Sequence, residues 1–345
     1  MKFVLSKLYG LIVSLRVFLY QRGVLGSHQL KNPVISVGNL TVGGTGKTPL
    51  VGFLAQILKK AGYQPVILSR GYKGRSKSPT LLVSDGQKLF CGPEECGDEP
   101  YLLARKLEGV PVVVGKSRYQ AGRSMEDRYP KLIYLLDDGF QHLQLKRNLN
   151  ILVLDATDPF GGHQLLPAGR LRESIKGLSR ADTIVITRSH IASEIENLEE
   201  QIRKWNRAVP ISYFHHDVTA LSDLKTGSRL QARDFLGAPV IALAAIGNPQ
   251  VFLHDLEHYQ MKISDRFIFR DHHQFSQSQL DRVLKRCQEV QAQAVVTTEK
   301  DAVRLEKLDF KEGQIFVLHI EPQPENPQEY KKEFLNEVEF LPDAR

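Results

Sequence analysis

The chain has 345 residues, 42% hydrophobic and 25% charged, an ordinary balance for a soluble globular protein of two domains or one large one. Its three cysteines, Cys91, Cys96 and Cys287, include no C-x-x-C pair, which excludes a disulfide framework and a cysteine-built zinc site. The net charge of +7 is unevenly spread: residues 1–84 hold twelve Lys or Arg and no acid, while the remainder is net −5. One basic end on a mildly acidic protein argues against nucleic acid and for an anionic surface or substrate.

Residues 3–20 are mostly apolar, and their longest uncharged run, Leu8–Leu15, is short of the ~20 residues that span a bilayer. On a helical wheel Lys2, Ser6, Lys7, Gly10, Ser14 and Gln21 fall near one side, with Arg16 off that stripe. An amphipathic interfacial helix is expected, its apolar face in lipid. A core helix and a signal peptide are the competing accounts. The second lacks a small-x-small cleavage site.

Short apolar runs then recur with helix-length spacers: Val34–Val37, Val66–Ser69, Val110–Val114, Leu132–Leu136, Ile151–Leu154, Thr183–Thr187 and Ile211–Phe214. Most are apolar on both faces, as parallel strands covered on both sides are. A doubly wound, mostly parallel α/β sheet of P-loop NTPase type is predicted, with ligands beyond the carboxyl ends of its strands. Residues 216–238 are polar and turn-rich. After them Val240–Ile246, Ile263–Phe269, Ala294–Thr297 and Ile315–Leu318 read as strands, and Leu280–Val290 as an amphipathic helix. The expected division is a membrane-interface helix at 1–28, a P-loop domain at 29–225 and a smaller α/β domain at 226–345. The tail after Pro322 shows few anchors.

The first strand runs into Gly43-Gly44-Thr45-Gly46-Lys47-Thr48, followed by a helix. Glycines let backbone N–H groups close round phosphate oxygens, and the helix N-terminus adds positive charge. Lys47 reaches the β/γ-phosphates of ATP, and Thr48 offers a hydroxyl to Mg²⁺. The strict G-x-x-x-x-G-K-T pattern fails at one position, where Thr41 replaces the first glycine. Leu132–Leu136 ends in Asp137-Asp138-Gly139, a strand-end carboxylate of the kind that organises Mg²⁺, or a turn Asp before Gly.

Gly97-Asp98-Glu99-Pro100 reads equally as paired working carboxylates and as helix-capping chemistry. Arg70–Lys77 makes a mobile cationic loop that either clamps an anion or is solvated; Lys116 and Arg118 are similar. Arg170-Leu171-Arg172-Glu173 lies in a loop, and Asp271-His272-His273 is too closely spaced for a good metal chelate. Thr298-Glu299-Lys300-Asp301 could contact a base, though a Thr-capped helix start is the simpler account.

Together these segments resemble the tetraacyldisaccharide 4′-kinase family, the lipid A 4′-kinases of Gram-negative bacteria. The resemblance spans most of the chain: V-G-N-L-T-V-G-G-T-G-K-T-P at 37–49, L-S-R-G-Y at 68–72, G-D-E-P at 97–100, D-D-G-F-Q-H at 137–142, G-R-L-R-E at 169–173, G-N-P at 247–249, D-H-H at 271–273 and T-T-E-K-D-A-V at 297–303. It implies ATP- and Mg²⁺-dependent phosphorylation of the 4′-hydroxyl of a tetraacyldisaccharide 1-phosphate at the cytoplasmic face of the inner membrane, by a peripheral enzyme with its active site between two domains. It further implies Lys47 and Thr48 on the ATP phosphates and Mg²⁺, and Asp98 nearest the acceptor hydroxyl, assisted by His272. Glu99, Asp137, Asp138 and Glu173 would surround the metal, with Arg172 and Arg118 on phosphate. A P-loop ATPase of the partitioning or metal-chaperone type and a non-enzymatic nucleotide switch are the alternatives. The first typically has a lysine early in the loop, absent here; the second needs no acceptor carboxylates.

Overall fold

The computed structural model describes residues 1–191 and 194–342. The chain forms two compact units, Met1–His215 with Pro322–Arg345, and His216–Glu321.

The first unit opens with α1 (Lys2–Gln21), followed by β1 (Val34–Gly38), α2 (Lys47–Lys60), β2 (Gln64–Ser69) and β3 (Thr80–Ser84). Next come the short α3 (Pro93–Cys96), α4 (Asp98–Lys106), β4 (Val112–Gly115), α5 (Arg118–Arg123), β5 (Leu132–Asp137), β6 (Leu149–Asp155) and β7 (Thr183–Thr187). α6 (Ile195–Arg203) leads to β8 (Ile211–Asp223), which begins in this unit and continues into the second. The strand order is β3-β4-β2-β5-β1-β6-β7-β8, parallel throughout except for the antiparallel β3–β4 edge.

Burial explains why these runs carry no polar face. Along β1, Ile35 and Val37 pack with Leu50, Leu54 and Leu58 of α2, whereas Val34 packs on the other side with Leu30, Ala121 and Met125. A strand wedged between helices on both faces must be apolar at every position, and β1, β5 and β6 are buried at every residue.

The second unit carries β9 (Arg229–Leu230), β10 (Pro239–Ala244), α7 (Pro249–His258), β11 (Lys262–Ile268), α8 (Gln277–Glu289), β12 (Ala294–Thr298), α9 (Glu299–Leu305) and β13 (Ile315–Pro324). β11-β10-β12-β13 pair in parallel. Alternate residues of β10 again serve two cores: Val240, Ala242 and Ala244 meet Phe252 and Leu256 of α7, and Ile241 and Leu243 meet Leu280 and Val283 of α8.

Two boundaries differ from the sequence reading. The units part at 215/216 where the sequence reading put 225/226, and β8 continues across that point to Asp223, into the first part of the polar stretch 216–238. The tail from Pro322 returns to the first unit as α10 (Pro327–Glu339). Its anchors are Tyr330, Phe334 and Val338, a 4-residue spacing that lines one helix face. Tyr330 meets Phe214 edge-on at 4.8 Å, and Phe214 meets Phe53 of α2 at 5.8 Å.

α1 is a single 20-residue helix, by length and composition enough to cross a membrane, where the sequence showed only eight uncharged residues in a row. Phe3, Val4, Leu8, Leu11, Ile12 and Leu15 are exposed, which disfavours the core-helix account. Two residues of the polar stripe face protein: buried Ser6 donates to the Leu165 carbonyl at 2.8 Å, and a Cβ at Gly10 would lie 2.5 Å from Leu165 Cδ1, while Lys2, Lys7, Ser14 and Gln21 are exposed. Tyr9 donates to the Arg172 carbonyl at 2.8 Å.

Because α10 completes the first unit's core, Phe334→Ala should cost about 3–5 kcal/mol, the usual range for a buried Phe. Urea unfolding measures it; a loss below ~1 kcal/mol would show that α10 is only laid on the surface.

Candidate functional site

The parallel register brings three strand ends to one edge: Val37 lies beside Asp137, and Leu68 beside Leu136, so Gly38, Ser69 and Asp137 emerge together. The loop 39–46 rises from that edge. Gly43, at φ 125°, has no room for a Cβ, which would sit 2.4 Å from the Arg170 guanidinium. Asn39 Nδ2 donates to the Thr41 and Thr45 hydroxyls at 3.3 and 3.0 Å. Thr41, where the strict motif has glycine, bridges antiparallel to Leu171. The loop is therefore fastened to the 170–172 segment, and Arg172 N donates to the Leu40 carbonyl and Val42 N to the Arg170 carbonyl.

Lys47, the first residue of α2, is buried, and its Nζ lies 3.6 Å from Asp138 Oδ1. Arg172 Nη1 donates to both Asp138 oxygens at 2.8 and 2.7 Å. Asp138 sits at φ 53°, a left-handed conformation that Asp tolerates better than most residues. Burial opposes its ionisation, but Lys47 and Arg172 outweigh burial and hold the carboxyl down at about 2.

Its neighbour behaves in the opposite way. Asp137 accepts from Ser69 Oγ at 3.2 Å and from Thr48 Oγ1 at 3.5 Å. Burial, then the Glu99 and Asp138 charges, push it up to about 7, against the pull of Lys47 and Ser69. Glu99 thus belongs to the same charge cluster from the first turn of α4, where Asp98 precedes it. Arg118 enters from the start of α5, almost wholly buried, with no hydrogen-bond partner for its Nε. Burial lowers it to about 10 although Asp138 pulls the other way. His142 is lowered by burial and the Arg118 charge to about 3.

Glu173, which the resemblance places in the acidic surround of the metal, is bound to protein partners. Arg180 grips it at 2.6 and 2.9 Å, and Gln141 Nε2 donates to it at 2.8 Å. Both its oxygens are engaged. Gln141 also donates to the Asn39 carbonyl at 2.7 Å and accepts from Arg172 at 3.3 Å. Gln141, Arg180, Arg170 and Ser69 were not named as site residues by the sequence reading; Gln141, Arg170 and Ser69 lay inside segments already singled out.

The Arg70–Lys77 loop is not the free cationic loop expected: Arg75 N and Ser76 N donate to the Glu94 and Glu95 carbonyls. Gly97, at φ 92°, sits so close to this loop that a Cβ would lie 2.6 Å from the Tyr72 carbonyl. That contact fixes the start of α4, hence Asp98 and Glu99. Thr298 does cap α9, donating to Asp301 and accepting from its N–H.

His272 belongs to the second unit, at φ 61°, with Lys300 Nζ 3.2 Å from its Nε2 and from Asp271 Oδ1. His273 is used for packing, stacked on Phe269 at 4.6 Å and bonded to Gln279.

Among the described residues no three His, Cys, Asp or Glu side chains form a metal cage. Mg²⁺ in phosphoryl-transfer sites needs none, taking one or two protein oxygens and completing its octahedron with phosphate and water. Thr48 and Asp137, hydroxyl beside a buried carboxylate, fit that requirement.

A family model described as LpxK, Tetraacyldisaccharide-1-P 4'-kinase, matches residues 2–339. A tetraacyldisaccharide 4'-kinase of Halothermothrix orenii is 37% identical, covering 89% of this chain and 83% of that protein. One from Syntrophus aciditrophicus is 39% identical, covering 89% and 84%. The crystal structure of LpxK from Aquifex aeolicus in complex with ATP matches with a TM-score of 0.75 at 34% identity, over 96% of this chain and 97% of that one.

The paired aspartates make opposite pH predictions. Asp137, raised to about 7 in the folded chain, contributes stability that is full below pH ~4 and lost as pH rises through 7. Asp137→Asn should therefore stabilise the nucleotide-free protein by roughly 2–4 kcal/mol more at pH 8 than at pH 4. Asp138, lowered to about 2, contributes stability above pH ~4 that is lost as pH falls towards 2. Asp138→Asn should destabilise at pH 8, by under ~2 kcal/mol because its side chain is 38% exposed and screened. Denaturant unfolding at the two pH values reads both, and an equal response of the two variants would refute the assignment.

Proposed function

The chain belongs to the tetraacyldisaccharide 4′-kinase family, and on that premise we propose how its residues divide the work. The protein is a kinase of lipid A biosynthesis that transfers phosphate from ATP to the 4′-hydroxyl of the tetraacyldisaccharide 1-phosphate. This displaces the partitioning-type ATPase and the switch as alternatives.

The observation that carries the division of roles is the divergence of Asp137 and Asp138. Asp138 is committed to two cations and stays ionised, so it orients Lys47 and Arg172 towards phosphate. Asp137 is buried among like charges and accepts a hydroxyl hydrogen bond from Thr48. A site of this kind favours a divalent cation, and Mg²⁺ bound there would neutralise phosphate charge as transfer proceeds. Thr48 and Asp137 would hold it, with Glu99 and Asp138 completing the acidic surround. Glu173 acts at one remove, through Gln141, on the segment carrying Arg172. Gly43, Gly44, Thr45 and Gly46 cradle the phosphates by their amides, and buried Arg118 adds positive charge.

Asp98 takes the acceptor's proton, and His272 assists on the acceptor side. A carboxylate is a weak base towards a sugar hydroxyl, so the proton moves late, as the loose transition state collapses. Alignment and charge neutralisation carry most of the barrier reduction.

The exposed apolar face of α1 supports attachment to the cytoplasmic surface of the inner membrane, where the acyl chains of the substrate lie. Lys2, Lys7 and Arg16, on a segment without acids, favour anionic headgroups.

Two measurements test these roles. Asp98→Ala should lower kcat by roughly 10²-fold or more, the usual size of a general-base contribution, while ATP binding persists; a near-normal kcat removes Asp98 from the reaction. Leu11→Glu/Ile12→Glu should cut sedimentation with anionic vesicles at least tenfold without changing the melting temperature. Unchanged vesicle binding would detach α1 from the membrane.

A further inference from the structure

Behind the phosphate loop lies a buried ion pair that the reaction scheme does not use. β6 and β7 end side by side, with Asp155 in register with Thr187. The next residue, Arg188, is buried, as is Asp155, and the two form a salt bridge through Nη1 and Oδ2. The same Nη1 donates to the Gly44 carbonyl at 3.2 Å. Thr187 Oγ1 donates to the next carbonyl, that of Thr45, at 3.1 Å. Consecutive residues at the end of β7 therefore hold consecutive carbonyls of the loop.

Arg188 is an unusual residue to find in this place. Its φ is 62°, a left-handed conformation that costs energy in a residue with a long side chain, and its buried Nε has no hydrogen-bond partner. Strain and an orphaned donor together mark a side chain held for a purpose beyond packing. Asp155 is fixed in turn, its other oxygen accepting from Thr157 N at 3.1 Å and Thr157 Oγ1 at 2.7 Å.

We propose that Arg188 is a positioning residue for ATP: braced by Asp155, it draws the Gly44 carbonyl to the back of the loop, so that the loop amides face the phosphates. This rests on the loop's being the ATP site. A carbonyl turned into the cradle would present negative charge to phosphate, and each peptide held carbonyl-out presents its N–H inward. The loop lacks the first glycine of the strict motif, and Thr41 is tied to Leu171. Side-chain fasteners thus set its shape from both flanks, Arg170 and Asn39 at the front and Arg188 with Thr187 behind.

Removing Arg188 alone would strand the buried Asp155 charge, a structural injury in itself. The test is therefore a cycle on the full-length protein: Arg188→Met, Arg188→Lys, Asp155→Asn, and Asp155→Asn/Arg188→Met, with Lys47→Ala as control. A fluorescent ATP analogue reports binding, and steady-state kinetics separate KM for ATP from kcat. In the double variant no charge is left unpaired. It should nonetheless bind ATP at least tenfold more weakly, with KM rising more than kcat falls, and Arg188→Lys should recover part of the affinity. A double variant that binds ATP like the unmodified protein overturns the proposal, since Arg188 would then serve only to neutralise Asp155. Normal binding and turnover by Lys47→Ala would instead overturn the ATP-site reading beneath it.

Discussion

The salt bridges of Asp138 with Lys47 and Arg172 join three segments far apart in the chain: the start of α2, the end of β5 and the loop after residue 169. Most of the site depends on that junction. Through it the phosphate lysine is held still, and through Arg172 and Gln141 the hold extends to Glu173 and Arg180. A flexible lysine would otherwise lose several rotatable bonds' worth of freedom at the moment of binding. Placing one carboxylate on the cations leaves the adjacent one, Asp137, with only the weaker pull of Lys47 against burial and the Glu99 and Asp138 charges, an imbalance that a divalent ion would relieve.

Much of this was legible before folding was considered, for reasons that differ by residue. Strands buried on both faces leave an unmistakable mark, so the central strands of the first unit were found nearly to the residue, Thr183–Thr187 at both ends. β3 was missed because it is a half-buried edge strand of five residues, T-L-L-V-S, inside a polar region. Asp137 and Asp138 were found together, yet nothing in D-D-G says which one is ionised. That depends on the second being paired directly with Lys47 and Arg172, while burial and the charges of Glu99 and Asp138 outweigh the pull of Lys47 on the first. The partner of Glu173 was hidden for the converse reason: Arg180, seven residues on, shares no motif with it, and only the turn between them brings the guanidinium onto both oxygens. Asp155 and Arg188 carried no signal at all, since each is an ordinary strand-end residue until β6 and β7 lie side by side.

α1 shows how two small residues can dock a helix whose apolar side chains stay exposed. The stripe of Lys2, Ser6, Lys7, Gly10, Ser14 and Gln21 carries two small residues that allow close approach to protein, and Ser6 and Gly10 sit against Leu165. The docked face is therefore thin, and most of the bulky side chains remain outside. Tyr9 reaches from this helix to the backbone of Arg172, so the helix that carries the exposed apolar surface also touches the segment that supports the phosphate site.

The return of α10 has a bearing on synthesis. The second unit is inserted within the first, and the part of the first unit's core where Phe53 of α2 meets Phe214 of β8 is completed by Tyr330, Phe334 and Val338 of α10. A ribosome making this protein releases the phosphate loop long before it makes those residues. During that interval the nascent first unit is open along an apolar face while the second can already close around its own two cores. Completion of the nucleotide-binding unit thus waits until the whole second unit has been made, and a chain that stops before Pro327 has its whole P-loop and yet an unfinished core beneath it.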